Sequence, residues 1–138
     1  MTAAVTEIGF RELVRRLAAL ELPPVDLVVG IGRGGVVPAA LAAQRLACDL
    51  RVLPVRFRDD AHQPERAEPL VTPPAFDVAG KRVLLVDDVA RTGATLSAAA
   101  GALAGAAAIH TLVVAGCADY ALFQVDSCIV WPWHAEAR

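Results

Sequence analysis

The stretch from Lys81 to Ala100 constrains this chain more than any other. It opens on an apolar, β-branched run, Val83 to Val86, of the kind carried by a strand buried on both faces. Two carboxylates follow, Asp87 and Asp88, then a short loop, Thr92-Gly93-Ala94-Thr95, then an Ala-rich run of helix-forming composition. Where a strand turns through a glycine loop into a helix, successive backbone N–H groups point outward unpaired. The helix dipole adds partial positive charge there. Gly93 permits close backbone approach, and Thr92 and Thr95 add hydroxyl donors. Such a junction suits a phosphate monoester. The paired acids, about one turn away, suit sugar hydroxyls or indirect help in holding Mg²⁺. Together they point to a phosphorylated sugar. An ordinary βα turn with Asp88 or Thr92 as N-cap explains a lone Asp-Asp or a lone Thr-Gly. It explains poorly the whole series in unbroken order.

An earlier stretch has the same plan. Val25 to Gly30 reads as a second buried strand, ending in Ile31-Gly32-Arg33-Gly34-Gly35. A helix is expected from about Val36 to Ala47, with Pro38 tolerated in its first turn. Gly30, Gly32 and Gly35 satisfy the letter of the G-x-G-x-x-G dinucleotide fingerprint. A dinucleotide site wants an acid near the end of the next strand to hold the ribose. That strand, Arg51 to Phe57, carries arginines instead. Two alternatives remain: a plain glycine turn, or a second anion loop in which Arg33 offers a charged fork.

At 138 residues the chain is expected to form one domain, 1–138, with a real core. Its residues are 56% hydrophobic but only 5% aromatic, an Ala, Val and Leu excess typical of compact α/β packing. The net charge is −2 and no basic run stands out, which disfavours a dedicated nucleic-acid binder. No apolar run reaches the ~18 residues that span a bilayer. The first residues do not resemble a signal peptide, so a soluble, cytoplasmic protein is expected. Cys48, Cys117 and Cys128 show neither metal spacing nor even pairing and read as reduced thiols acting as small hydrophobes.

Ile8 to Leu20 reads as an amphipathic helix with Phe10, Leu13, Val14 and Leu17 on its apolar side, stopped by Pro23-Pro24. Arg58 to Gly80 has no clean periodicity, and a loop of that length is usually functional or disordered. Arg56, Arg58 and Arg66 are either anion contacts or solvated charges, and His62 reads as exposed. Ile109 to Ala115 is a further strand, with short strands at Tyr120 to Phe123 and Cys128 to Trp131. His110 and His134 have no convincing partners in sequence.

The run from Val83 through Asp87-Asp88-Val89-Ala90-Arg91-Thr92-Gly93-Ala94-Thr95 to Leu96 closely resembles the signature of type I phosphoribosyltransferases, which bind 5-phosphoribosyl-1-pyrophosphate (PRPP). The resemblance implies an α/β fold with a mainly parallel central sheet flanked by helices, and a mobile hood loop at about 58–80. It implies ribose hydroxyls on Asp87 and Asp88, which with Arg91 form the expected catalytic set. It further implies the 5′-phosphate in the loop Arg91, Thr92, Gly93, Ala94, Thr95, and pyrophosphate on Gly32, Arg33, Gly34 and Gly35. Mg²⁺ would arrive on PRPP, assisted by Asp87 and Asp88 rather than bound by a dedicated protein site. The acceptor would be a nucleobase held near Cys128 and Ile129, and the assembly a homodimer, with no nucleic-acid or membrane partner.

The Val28 to Ala39 stretch and the ending Ile129-Val130-Trp131-Pro132-Trp133 resemble the xanthine/hypoxanthine-guanine branch, which implies a purine-salvage reaction. Three departures fall where that branch handles the purine. Arg91 stands where an Asp usually lies near N7 of the base, and an arginine is no carboxylate acid/base. Cys128 stands where an aromatic stacks on the purine, and a thiol gives up most of that area. Ala115-Gly116-Cys117-Ala118-Asp119 is shortened and lacks the Lys that reads the exocyclic oxygen. The acceptor is therefore open. A PRPP- or nucleotide-sensing module with little turnover, and transfer to a non-purine acceptor, are the alternatives.

Overall fold

The computed structural model describes residues 5–56 and 69–134. Among them the chain order is β1 (Val5–Glu7), α1 (Phe10–Ala19), β2 (Leu27–Gly32), α2 (Val36–Leu46), β3 (Asp49–Arg56) and β4 (Leu70–Val71). Then follow β5 (Arg82–Ala90), α3 (Ala94–Ala102), β6 (Ala108–Gly116), β7 (Tyr120–Phe123) and β8 (Cys128–Val130). The main sheet has the order β4-β3-β2-β5-β6-β7, and β1 and β8 form a separate two-stranded parallel sheet. Within the main sheet only β4 runs antiparallel, against β3. The architecture is the α/β, mainly parallel one that the sequence led us to expect.

Alternation along β2 and β5 sends side chains to two cores, because successive residues of a strand face opposite sides. Val28, Leu84 and Val86 join Leu13 and Leu17 of α1 and Ala39 and Ala42 of α2 on one face. Leu27, Val29, Val83 and Leu85 join Leu96, Ala99 and Leu103 on the other. The continuous apolar runs are thus explained by burial on both sides. Leu84 and Leu85 have no exposed surface, and truncating either to Ala costs about 2–5 kcal/mol. The small Ala side chains of α2 and α3 let the helices lie close on the sheet. At the C-terminus of α2, Ala47 adopts the left-handed conformation at φ 54°, and its N–H bonds back to Gln44 O.

Some expectations need correction. On α1, Leu13 and Leu17 are buried, but Phe10 is 51% and Val14 37% exposed, so the apolar stripe is narrower than its spacing suggests. Arg16 adds to that helix's attachment, donating to Leu122 O at 2.8 Å and lying 4.1 Å from the Phe123 ring centroid, and Arg45 of α2 donates to the carbonyls of Ala18 and Leu20 at its end. Of the cysteines, Cys48 packs against the core as a small hydrophobe, whereas Cys117 and Cys128 are exposed. Of the irregular stretch 58–80, residues 69–80 include β4, which extends the main sheet beside β3. Arg58, His62 and Arg66 lie outside the described residues. Within the described residues no helix is long and apolar enough to cross a membrane.

Candidate active site

The sheet order places β2 and β5 side by side at its centre. From β2 the chain leaves through α2 to β3 on one side; from β5 it leaves through α3 to β6 on the other. This is a topological switch point, where the loops diverge and open a crevice at the carboxyl ends of the strands. Two loops border it, Arg33–Gly35 after β2 and Arg91–Gly93 after β5.

The β2–β5 ladder ends at Gly30 opposite Val86, while β5 continues along β6 to Ala90 opposite Gly116. The vacated flank of β5 is filled by the glycine loop. A Cβ on Gly35 would collide with Val86 O and stand 2.9 Å from both Asp87 Cα and Ile31 O. A Cβ on Gly34 would stand 2.5 Å from Asp88 Oδ2. Bare backbone is therefore what allows this loop to lie on the acid pair. The Gly32–Arg33 peptide is cis.

The acids do not follow the strand, as the sequence suggests, but lie within β5, whose ladder with β6 continues past them. Asp87 is 7% exposed, the one buried charged residue among those described. Its Oδ1 accepts the Asp88 N–H at 2.8 Å, and Asp88 Oδ1 accepts the Val89 N–H at 2.7 Å. Burial first, and the neighbouring Asp88 charge second, push the Asp87 carboxyl well above the usual carboxylate range. A carboxyl held this way readily keeps a proton until a cation or a donor approaches.

After β5 the chain turns through Gly93, which sits at φ 84° as N-cap of α3 and offers no side chain to the helix. The Thr92 hydroxyl accepts the Ala94 N–H at 3.2 Å, and Gly93 O accepts from Ser97 at 2.9 Å. The backbone of residues 91–95 and Asp87 line a cup of about 110 Å³, open toward the crevice. This is the anion-binding geometry of a helix start.

The larger cleft, about 940 Å³, is bordered by Arg33 and Gly34, by Arg56 at the end of β3, by Asp88, and by Cys128 and Trp131. Of the residues named from sequence, Gly32, Arg33, Gly34, Asp87, Asp88, Arg91, Thr95 and Cys128 line it. Thr92, Gly93 and Ala94 line the cup, and Gly35 buttresses the acids from behind. Ile129 packs against the core cluster and is absent from the cleft wall. Trp131 takes that place instead. It is 6% exposed and stacks on Trp133 with ring centroids 5.2 Å apart. Its signal in the sequence was the aromatic pair right after β8, legible as a chain ending but not as a wall.

The Arg91 guanidinium donates to Val125 O at 2.5 Å and Ser127 O at 2.8 Å, while Arg91 itself lines both the cup and the larger cleft. The shortened stretch 115–119 closes as a tight turn, with Thr111 N donating to Asp119 Oδ2 at 3.0 Å and Asp119 N to Thr111 Oγ1 at 2.9 Å. No group of three metal-ligating side chains occurs among the described residues. Asp87 and Asp88 alone offer hard oxygen donors, which suits Mg²⁺ that keeps waters and substrate oxygens in its shell.

Comparison with known proteins agrees with this geometry. Residues 12–134 match the family described as the phosphoribosyl transferase domain. The chain is 39% identical over 74 residues to the transcriptional regulator GfcR of Methanocella arvoryzae, covering 52% of this chain and 36% of that protein. It is 34% identical over 116 residues to adenine phosphoribosyltransferase of Nocardia farcinica, covering 77% of this chain and 60% of that one. It thus spans less than two thirds of the length of either curated relative. Among solved structures, the purine phosphoribosyltransferase from Pyrococcus horikoshii superposes with a TM-score of 0.78 at 28% identity, covering 94% of this chain and 93% of that one. With the match running from α1 to the end of the described chain, this protein belongs to the phosphoribosyltransferase family.

Proposed function

We propose that this chain is a PRPP-dependent phosphoribosyltransferase that transfers the 5-phosphoribosyl group to a nucleobase, purine-type in plan with an altered base wall. The observation that carries the reading is the convergence of two glycine loops on one acid pair inside a single cleft. A substrate with phosphate at one end and pyrophosphate at the other matches loops of this kind set on neighbouring parallel strands.

In this reading the cup formed by Arg91, Thr92, Gly93, Ala94 and Thr95 takes the 5′-phosphate on backbone N–H groups and threonine hydroxyls. Asp87 and Asp88 accept the ribose hydroxyls. Gly32, Arg33, Gly34 and Gly35 hold the pyrophosphate, Arg33 through its fork. The C1–oxygen bond to pyrophosphate breaks with both electrons leaving on pyrophosphate, positive charge develops on the ribose ring, and a nucleobase nitrogen bonds to C1 and gives up its proton to the departing pyrophosphate or to solvent. Asp87 and Asp88 face that charge, so positioning and electrostatics supply most of the acceleration. Mg²⁺, arriving with PRPP, would neutralise the leaving pyrophosphate. Cys128 and Trp131, which border the cleft, form the acceptor wall. The same reading treats residues 1–138 as one domain and the working unit as a homodimer, which sedimentation equilibrium tests.

The test is a calorimetric titration with Mg-PRPP, followed by hypoxanthine, guanine, xanthine, adenine and uracil with pyrophosphate release monitored. Micromolar binding and release with one base establish the transfer and its acceptor. The 39% identity to a transcriptional regulator favours one second reading, a PRPP- or nucleotide-sensing module. Tight binding without release under any base selects it.

A further inference from the structure

The cleft wall that carries Cys128 and Trp131 belongs to the small β1–β8 sheet, which shares no ladder with the main sheet among the described residues. Its own strands are well tied, by Ile8 N to Val130 O at 3.1 Å and by the Thr6 and Ser127 hydroxyls at 2.7 Å. Those bonds hold β1 to β8 and say nothing about where the pair stands over the cleft. Apolar packing of Ile8, Ile129 and Trp131 attaches the pair to the core, and such packing is non-directional. Among the described residues, Arg91 makes a directional link. Its backbone belongs to the anion loop, and its Nη1 and Nη2 reach the carbonyls of Val125 and Ser127, immediately ahead of Cys128. Donors from an ionised guanidinium make bonds roughly twice as strong as neutral ones, and the planar fork spans two acceptors in a fixed orientation.

We infer that Arg91 is a positioning residue: its guanidinium straps the β7–β8 segment to the anion loop and sets where Cys128 and Trp131 stand relative to the phosphate cup. This rests on the reading above, in which the cup takes the 5′-phosphate and Cys128 and Trp131 face the acceptor. Arg91 then acts on the acceptor through another element. A lysine, with a single point charge, bridges two carbonyls poorly.

The chain provides its own reporter, since its two tryptophans are Trp131 and Trp133, both at the end of β8. The experiment compares wild type, Arg91→Met and Arg91→Lys in Mg-PRPP affinity, acceptor KM against kcat, and acrylamide quenching of tryptophan fluorescence. The expected result for Arg91→Met is a Kd for PRPP within about threefold of wild type, because backbone and threonine groups make the cup. Its acceptor KM should rise about tenfold or more, as loss of a bond to a charged group predicts, and quenching should increase. Arg91→Lys should fall between wild type and Arg91→Met. An unchanged acceptor KM with wild-type quenching overturns the strap. So does a loss of PRPP affinity as large as the loss for acceptor, since the guanidinium would then bind phosphate itself. If wild type releases no pyrophosphate with any of the bases, the transferase reading fails, and the quenching comparison alone decides the strap.

Discussion

Gly34 and Asp88 touch across the cleft floor: a Cβ on Gly34 would lie 2.5 Å from Asp88 Oδ2 and 2.8 Å from its Cγ. The glycine loop after β2 is thereby seated on the acid pair of β5, and the two halves of the candidate site share a contact surface. Gly35, one residue on, presses against backbone instead, at Val86 O and Asp87 Cα. The two glycines should respond differently to the same change. Gly34→Ala meets a carboxylate that can rotate, so stability should fall by only about 1 kcal/mol. Asp88 must move, and PRPP affinity should drop tenfold or more. Gly35→Ala meets fixed backbone and should cost about 3 kcal/mol or more of folding stability. Urea denaturation paired with calorimetry separates the two. Equal stability losses would contradict this division of labour.

Gly116 closes the far side of the same strand. It sits at φ 115°, and a Cβ there would collide with Ala90 O, the carbonyl that accepts the Cys117 N–H at 3.1 Å. Ala90 is the last residue of β5 before the anion loop, so Gly116→Ala displaces the base of the cup. We expect a stability loss of about 2–3 kcal/mol together with weakened PRPP binding. Full PRPP affinity in a destabilised variant would show that the cup does not depend on this anchor.

How much of this was legible in the sequence follows from the range of the forces involved. Val83–Val86, the acid pair and Thr92-Gly93 announce themselves because burial on both faces and a left-handed turn are local demands. That β5 runs on through Asp87 and Asp88 to Ala90 was not legible, because two acids read as the end of a strand. The ladder with β6 keeps those residues extended, through pairs such as Asp87 with Val113 and Val89 with Ala115. Val5–Glu7 carries no apolar run, and it becomes a strand only because Cys128 to Val130 lies beside it. The partners of Arg91 are carbonyls 34 and 36 residues away, and backbone acceptors leave no trace in residue identity. The glycine loop was legible as the turn from strand to helix, but its contact with Asp88 needed the sheet order.

The α1 attachment should respond to acid. Glu12 accepts from Arg15 at 2.6 Å and Arg16 at 2.8 Å, and these partners hold its carboxyl down at about 2. A carboxylate whose folded value is depressed contributes stability above its ordinary 4.5, and loses that contribution as pH falls through the folded value. Glu12 keeps 38% of its side-chain surface in solvent and its two arginines keep more, so the effect is small. Glu12→Gln should lower Tm by about 2 °C at pH 7, with the difference vanishing toward pH ~2. Arg16→Met should cost more at neutral pH, because it also loses the Leu122 carbonyl and the Phe123 ring. A larger loss for Glu12→Gln than for Arg16→Met would place the anchoring in the ion pair.

Asp87 carries the opposite sign. Its folded value lies well above the ordinary 3.8, through burial and then the Asp88 charge, so the folded protein holds this proton more tightly than the unfolded chain does. The stability it contributes is complete below 3.8 and is lost as pH rises through the raised value. Asp87→Asn has no charge to desolvate, so its Tm should exceed that of wild type by a margin that widens across that window and then levels off. The same substitution removes an acceptor that the proposed ribose contact needs, and Mg-PRPP affinity should fall tenfold or more. Wild-type affinity for Mg-PRPP should in turn rise with pH over that window, because the ligand favours the ionised carboxyl. Binding heats measured in buffers of different ionisation enthalpy should then reveal proton release. A variant that is more stable yet binds PRPP as tightly as wild type would remove Asp87 from the site. One that is less stable at every pH would mean that the carboxyl's hydrogen bond to the Asp88 N–H outweighs the cost of its burial.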